Sequence, residues 1–216
     1  TGVQTCALPI SEMRARYLAA NPYNLVRIIL GEAQADDNDS NNIYTRGAAY
    51  LDQWIKEGIL AKDPAPGFYA YFQEFEVPDT GEKAVRQGFI GLGKVEDYSA
   101  GIVYRHEQTL SGPKKDRLQV LRHTHAHFGQ IFMLYPDREG AVDAVLSQAS
   151  QGAPVLDVVD EYGARHRVWA ISDPTTTTQL QSLMADKKLL IADGHHRYET
   201  SLNYRNENPN DPARSE

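Results

Sequence analysis

The segment Leu189-Leu190-Ile191-Ala192-Asp193-Gly194-His195-His196-Arg197-Tyr198-Glu199 is where residue types and spacing most directly suggest chemistry. An apolar run leads into a polar turn with glycine and then into a helix start. The N–H groups at a helix N-terminus lack intrahelical partners and carry partial positive charge, so a strand-turn-helix of this kind is an anion cradle. His195, His196 and Arg197 place further donors in the first turn. They also oppose the helix dipole, which disfavours cations at an N-terminus unless an anion compensates. That local conflict predicts a phosphate-like ligand. The competing reading is a structural turn capped by Asp193, with His and Arg on a solvated face. A metal on His195 and His196 is the weaker reading, because adjacent helical residues diverge by about 100° and useful histidine pairs sit four apart.

A second cluster is His106-Glu107-Gln108-Thr109-Leu110-Ser111-Gly112-Pro113-Lys114-Lys115-Asp116-Arg117. Gly112 and Pro113 open a helix whose first turn holds Lys114, Asp116 and Arg117, with His106 and Glu107 in the loop before it. Carboxylates beside basic groups can serve Mg²⁺ and phosphate together, and a carboxylate near a hydroxyl can act as base. The bland alternative is a solvated loop with a charged first turn. His123, His125 and His127 alternate and would share one face of a strand, but at a helix end they scatter. Asn21-Pro22-Tyr23-Asn24 reads as a backbone turn. Gly88 to Lys94 lacks the spacing and the terminal Ser or Thr of a phosphate loop.

The elements that must position these residues follow from periodicity and turn chemistry. Ser11 to Ala20 reads as a helix stopped by Asn21-Pro22, and Leu25 to Leu30 as a buried strand. Ala33 to Asn42 is a mobile surface loop. Tyr44, Ala48, Leu51 and Ile55 mark one face of a helix that stops at Gly58. Gly67 to Val77 and Val85 to Val95 form a hairpin across Pro78-Asp79-Thr80-Gly81. Tyr98 to Pro113 is a polar loop, and a helix runs from Pro113 through Leu118 and Leu121. Ile131 to Tyr135 is a strand, followed by a helix over Ala141 to Ala149 with Val142, Val145 and Leu146 inward. A second hairpin joins Val155 to Val159 with Arg165 to Ile171. Pro174 to Ala185 is a helix capped by Asp173, Leu189 to Ala192 a buried strand, and His196 to Arg205 a helix. Hairpins mixed with strand-helix steps predict an α+β or mixed α/β fold, with a mixed sheet and flanking helices, rather than a regular doubly wound sheet.

The chain has 216 residues, 22 basic and 29 acidic, for a formal charge of −7, with 41% hydrophobic residues. That is an acidic globular composition with enough apolar content to bury a core. No stretch reaches the roughly 20 consecutive apolar residues of a membrane span. The negative balance makes nucleic acid an improbable partner. A lone cysteine, Cys6, cannot close an internal disulfide, so the default compartment is the cytoplasm. Residues 1–10, TGVQTCALPI, and residues 214–216 match the translation of sequencing-adapter oligonucleotides. They are expected to be artefacts around a genuine segment, 11–213, that is the truncated N-terminal part of one larger domain or protein.

The motifs NPYNLVRI, HEQTLSGPKKDRL and IADGHHRYETSLNYR, in this order, resemble a widespread prokaryotic family, the domain of unknown function numbered one thousand and fifteen. The resemblance spans nearly all of Ser11 to Glu207 and implies that a C-terminal half of the chain is a missing partner. The family's DGHHR turn is in turn similar to that of free-serine kinases of the ParB/sulfiredoxin-like group. This implies a ParB/sulfiredoxin-like element around the turn, which in those kinases binds nucleotide phosphates. By that resemblance Asp193 is the candidate base or Mg²⁺-organising carboxylate, with Glu107 as the second acidic group. Gly194, His195, His196 and Arg197 form the phosphate cradle, and Lys114 and Arg117 add cations beside it. The three-histidine set does not match the family pattern.

The expected activity is therefore a nucleotide-dependent phosphotransferase on a small hydroxyl metabolite, free L-serine being the named candidate, with ATP or ADP as donor and Mg²⁺ as cofactor. Asp193 or Glu107 would take the hydroxyl proton, while His195 and Arg197 stabilise charge on the transferred group. The alternative from another class is a nucleotide-binding ParB-like switch or regulatory module without metabolite turnover. A basic recognition helix would favour a DNA-associated form of it, and the helices beginning at Thr45 and Pro174 are mixed or nearly uncharged.

Overall fold

A computed structural model describes residues 11–107 and 111–211 of the chain; the adapter-like residues 1–10 and 214–216 lie outside the described residues. In chain order the elements begin with helices α1 (Ser11–Ala20), α2 (Val26–Ile29) and α3 (Ile43–Lys56) and the strands β1 (Phe68–Glu76) and β2 (Lys83–Ile90). A short 3₁₀ turn at Tyr98–Ala100 precedes β3 (Val103–Tyr104), α4 (Ser111–Thr124), β4 (Phe132–Leu134) and α5 (Ala141–Ala149). The described chain closes with β5 (Leu156–Val159), β6 (Arg165–Ile171), α6 (Pro174–Met184), β7 (Leu189–Asp193) and α7 (His195–Glu207). The fold is mixed α+β, with one antiparallel and one mixed sheet.

The described residues fall into two compact units. One comprises residues 63–93 and 135–188 and carries the antiparallel sheet in the order β2-β1-β6-β5. Alternation along β1 sends Ala70 and Phe72 to the face that Trp169 and Ile171 share. Val142, Val145 and Leu146 of α5 and Leu180 of α6 cover that face. The inward triplet expected of α5 is thus its buried stripe. Both hairpins form as their turn residues dictate, and Oδ1 of Asp160 accepts the N–H groups of Tyr162 and Ala164 to close the second. Asp173 caps α6 through Thr176 N–H.

The other unit comprises the described residues of 1–62, 94–134 and 189–216. Its three-stranded sheet has the order β3-β7-β4, with β7 central, parallel to β3 and antiparallel to β4. Val95, Val103, Ile191, Tyr198 and Leu202 form the core under the strand that leads to the Gly194 turn. A second cluster of Ile28, Leu51 and Trp54 packs α2 on α3.

Three expectations change here. Leu25 to Leu30 is not a strand: Val26–Ile29 is a helical turn. The Asn24 side chain accepts Val26 N–H and the Asn21 side chain accepts Tyr23 N–H, which steers the backbone into turns that a short apolar run does not itself specify. The polar Tyr98 to Pro113 segment contains β3, which forms because Val103, 2% exposed, finds β7 as a parallel partner. Ala33 to Asn42 is a loop, but a cross-tied one. Asn38 Oδ1 accepts from Ser40 and Asn41 N–H, Asp37 pairs with Arg46 at 2.6 Å, and Asn42 caps α3 in a capping box with Thr45.

The α2–α3 contact is close enough to test. A Cβ on Gly47 would lie 2.8 Å from the Ile28 carbonyl oxygen, a backbone atom that cannot swing aside. Overpacking costs about 1–3 kcal/mol, and replacing a helical glycine by alanine returns up to about 1 kcal/mol. Gly47→Ala is therefore expected to lower the urea midpoint by the equivalent of about 1 kcal/mol. A raised midpoint would show that the contact is loose.

Candidate functional site

β7 delivers the site. Ile191 is fully buried at its centre, and Asp193, opposite Phe132 of β4, is its last residue. A register shift opposite Phe132 and Met133 of β4 leaves Ala192 of β7 as an extra residue and loosens the pairing where the strand ends. Gly194 then takes φ +95° and ψ 24°, a left-handed conformation that side-chain-bearing residues avoid, and is the N-cap of α7. The N-cap is thus Gly194 rather than Asp193, and a glycine has no side chain with which to cap. α7 is fixed instead by Tyr198 and Leu202 in the core, and by the Tyr198 hydroxyl, which donates to the Glu96 carbonyl at 2.7 Å and accepts its N–H at 3.0 Å.

Arg197 folds back onto the turn. Its Nη2 donates to Asp193 Oδ2 at 2.7 Å, an i, i+4 ion pair, and its guanidinium lies where a Cβ on Gly194 would fall, 2.8 Å from Nη2. Gly194 thus answers two demands, the backbone angle and the room for Arg197. His195, the first residue of α7, is 2% exposed, and its Nδ1 lies 3.0 Å from Glu107 Oε1. Among the described residues its Nε2 is buried with no hydrogen-bond partner. The His106 ring stands perpendicular to it at 4.6 Å and is held by a 2.9 Å bond from Nδ1 to the Ile191 carbonyl. Burial pushes the His195 imidazole below its ordinary value, against the opposing pull of Glu107. His196 is half-buried in the same turn.

A cationic limb adjoins the turn. Glu199 accepts from Lys114 Nζ at 2.7 Å and Arg105 Nη1 at 3.0 Å, and the Arg105 guanidinium lies over the Tyr98 ring at 4.7 Å. The Tyr98 hydroxyl is buried and, among the described residues, has no hydrogen-bond partner. Its phenol is pushed up to about 12, first by burial and then by the Glu199 charge. The sequence reading missed Glu199, Arg105 and Tyr98. Glu199 was legible in part, since it lies four residues beyond His195 and so on the same helical face.

Of the residues singled out in the sequence, Asp193, Gly194, His195 and Arg197 come together, Glu107 joins them through His195, and Lys114 joins them through Glu199. Arg117 makes no hydrogen bond or ion pair to the turn among the described residues; its neighbour Asp116 accepts from the Tyr44 hydroxyl. The three alternating histidines part. His123 stacks on Tyr44 with Nδ1 on the Gln119 carbonyl, His125 Nδ1 bonds the Tyr204 hydroxyl, and burial lowers the His127 imidazole.

The partners of Asp193 and Glu107 bear on the Mg²⁺ expectation. Each carboxylate already receives a donor of its own unit, and among the described residues no group of three His, Cys, Asp or Glu side chains is arranged to hold a metal ion. This donor set does not fit a resident ion. Mg²⁺ commonly reaches phosphate sites bound to its substrate and still carrying waters. Among the described residues no helix is long and apolar enough to cross a membrane.

Comparison with curated proteins and with solved structures gave no match. The family described as Protein of unknown function (DUF1015) matches the chain over residues 9–216. That span holds the β7 turn, the Glu107–His195 pair and the Glu199 limb together, and the chain belongs to this family.

Proposed function

We propose that the chain is a nucleotide-dependent phosphotransferase acting on a small hydroxyl-bearing metabolite, with free L-serine as the first acceptor to test and the cytoplasm as its compartment. The observation that carries this reading is the N-terminus of α7 on left-handed Gly194, whose first-turn N–H groups have no acceptor within the helix and which stands, with the half-buried His196, at the end of a central strand. That is where a terminal phosphate is favoured by both hydrogen bonding and the helix dipole. Lys114 and Arg105, held by Glu199, add positive charge beside it. The nucleotide, ATP or ADP, enters as its Mg²⁺ complex, and the ion's charge offsets that of the phosphates.

In the reaction the acceptor hydroxyl loses its proton to a base of the site as its oxygen bonds the terminal phosphorus. The bond from that phosphorus to the bridging oxygen breaks, and its electron pair leaves with the shortened nucleotide. Asp193 keeps Arg197 folded against the turn, so its loss frees the guanidinium to draw the terminal phosphate away from the acceptor. The similarity of the DGHHR turn to that of ParB/sulfiredoxin-like serine kinases agrees with this assignment of phosphate and acceptor.

The test incubates the full-length protein with Mg²⁺, ATP or ADP and a mixture of hydroxyl metabolites, with mass spectrometry of the products. A phosphorylated product is expected that disappears with Asp193→Ala. Nucleotide bound at the turn without any transferred phosphate would overturn the enzyme reading in favour of a regulatory nucleotide-binding module.

A further inference from the structure

Resting on that reading, we infer that Nε2 of His195 is the atom that takes the acceptor's hydroxyl proton, and that Glu107 is a positioning residue acting through it. The assignment starts from hydrogen-bond polarity. An ionised carboxylate only accepts, so the 3.0 Å contact to Glu107 places a proton on Nδ1 of His195. A neutral ring then carries its lone pair on Nε2, and that atom is the one buried without a partner among the described residues. Burial also favours the neutral ring.

A lone pair there repels phosphate oxygens, which are themselves acceptors, and fits a donor such as a hydroxyl. His195 therefore leaves the phosphate cradle in which its position in the turn first placed it, and the cradle keeps the α7 N–H groups and His196. Asp193 is a poorer choice of base by geometry, because its Oδ2 receives Arg197 at 2.7 Å. The ring is clamped on two sides, by Glu107 at Nδ1 and by the perpendicular His106, which is itself tied to Ile191. At 2% exposure, any hydroxyl reaching Nε2 is desolvated with it, which strengthens the bond between them.

The proton balance closes on named atoms. The hydroxyl proton moves to Nε2, and the resulting imidazolium keeps its Nδ1–H on Glu107, whose negative charge stabilises it. The oxygen forms the new bond to phosphorus, the bridging P–O bond breaks, and its electron pair departs with the nucleotide. Nε2 releases its proton once the product has left.

The test begins with the full-length protein labelled with ¹⁵N-histidine. The neutral Nδ1–H tautomer is expected for His195 at neutral pH, and Glu107→Gln is expected to shift the ring toward Nε2–H. In the transfer assay, His195→Gln and Glu107→Gln are each expected to slow turnover by about a hundred- to ten-thousandfold, with the larger share of the loss in kcat rather than in the KM for nucleotide. Glu107 is half-exposed, so its substitution keeps the test open if His195→Gln fails to fold. An Nε2–H tautomer in a protein that does transfer phosphate overturns the base assignment alone, as does undiminished kcat in Glu107→Gln. No transfer by the unsubstituted protein overturns the kinase reading and the base with it.

Discussion

Gly194→Ala is expected to destabilise the protein by about 2–3 kcal/mol and to abolish binding of pyrophosphate at the N-terminus of α7. An L-residue held in the left-handed region loses roughly 1–2 kcal/mol, and φ +95° lies further from that basin's centre than most such residues tolerate. The added Cβ would also sit 2.8 Å from Nη2 and 2.9 Å from Nε of Arg197. That side chain is flexible and can move, but moving breaks its pair with Asp193. The pair is partly solvated, with the two side chains 18% and 45% exposed, so its loss adds no more than about 1 kcal/mol. The larger consequence is functional. A backbone that relaxes away from φ +95° turns the first N–H groups of α7 off their common direction, and an anion cradle depends on that convergence. Urea unfolding and a pyrophosphate titration measured by calorimetry read the two effects separately. A variant with unchanged stability and unchanged pyrophosphate binding would show that the turn tolerates another geometry and that phosphate does not lie there.

The second large effect is expected at Glu199→Ala, a loss of about 1–3 kcal/mol. Glu199 is 12% exposed and accepts from two cations, Lys114 at 24% and Arg105 at 44% exposure. Removing one partner of a hydrogen-bonded charge group leaves the others with an incomplete shell, and a fully buried group would lose more. The exposure of Arg105 lets water replace part of the interaction, so the estimate stays below that for a sealed pair. Glu199→Gln keeps an acceptor oxygen for Lys114 or Arg105 and is expected to recover about half of the loss. Equal midpoints for the alanine variant and the unsubstituted protein in chemical denaturation would mean that the two ion pairs contribute nothing net. Glu199 would then be a surface charge in all but position.

Local order was legible wherever the physical rule is local. The β1–β2 and β5–β6 hairpins formed where strand-forming runs flank Pro78-Asp79-Thr80-Gly81 and Glu161-Tyr162-Gly163, because a turn closes over a few residues and its chemistry is written in them. The inward stripe of α5 followed from helical spacing, and the Asp173 cap of α6 from a side chain three residues from the N–H it accepts. Leu25 to Leu30 failed for a related reason. A six-residue apolar run is compatible with either helix or strand, and the deciding groups were the Asn21 and Asn24 side chains just before it.

The candidate site divides in the same way. The sequence by itself determined the β7–Gly194–α7 turn, since an apolar run, a glycine that can take a left-handed angle and a helix start are contiguous over eleven residues, Leu189 to Glu199. The Asp193–Arg197 pair was not legible there, because Asp193 ends β7 outside the helix and meets Arg197 only through the left-handed turn at Gly194. Only the tertiary structure decided that Glu107 reaches His195, that Arg105 and Lys114, 94 and 85 positions away, share the Glu199 carboxylate, and that β3 exists at all. Periodicity and turn chemistry act over a few residues, whereas these contacts depend on which strand settles beside β7 and which helix packs on α7. Such choices are made by burial of Val103, Ile191, Tyr198 and Leu202 in one core, and no single segment carries that information.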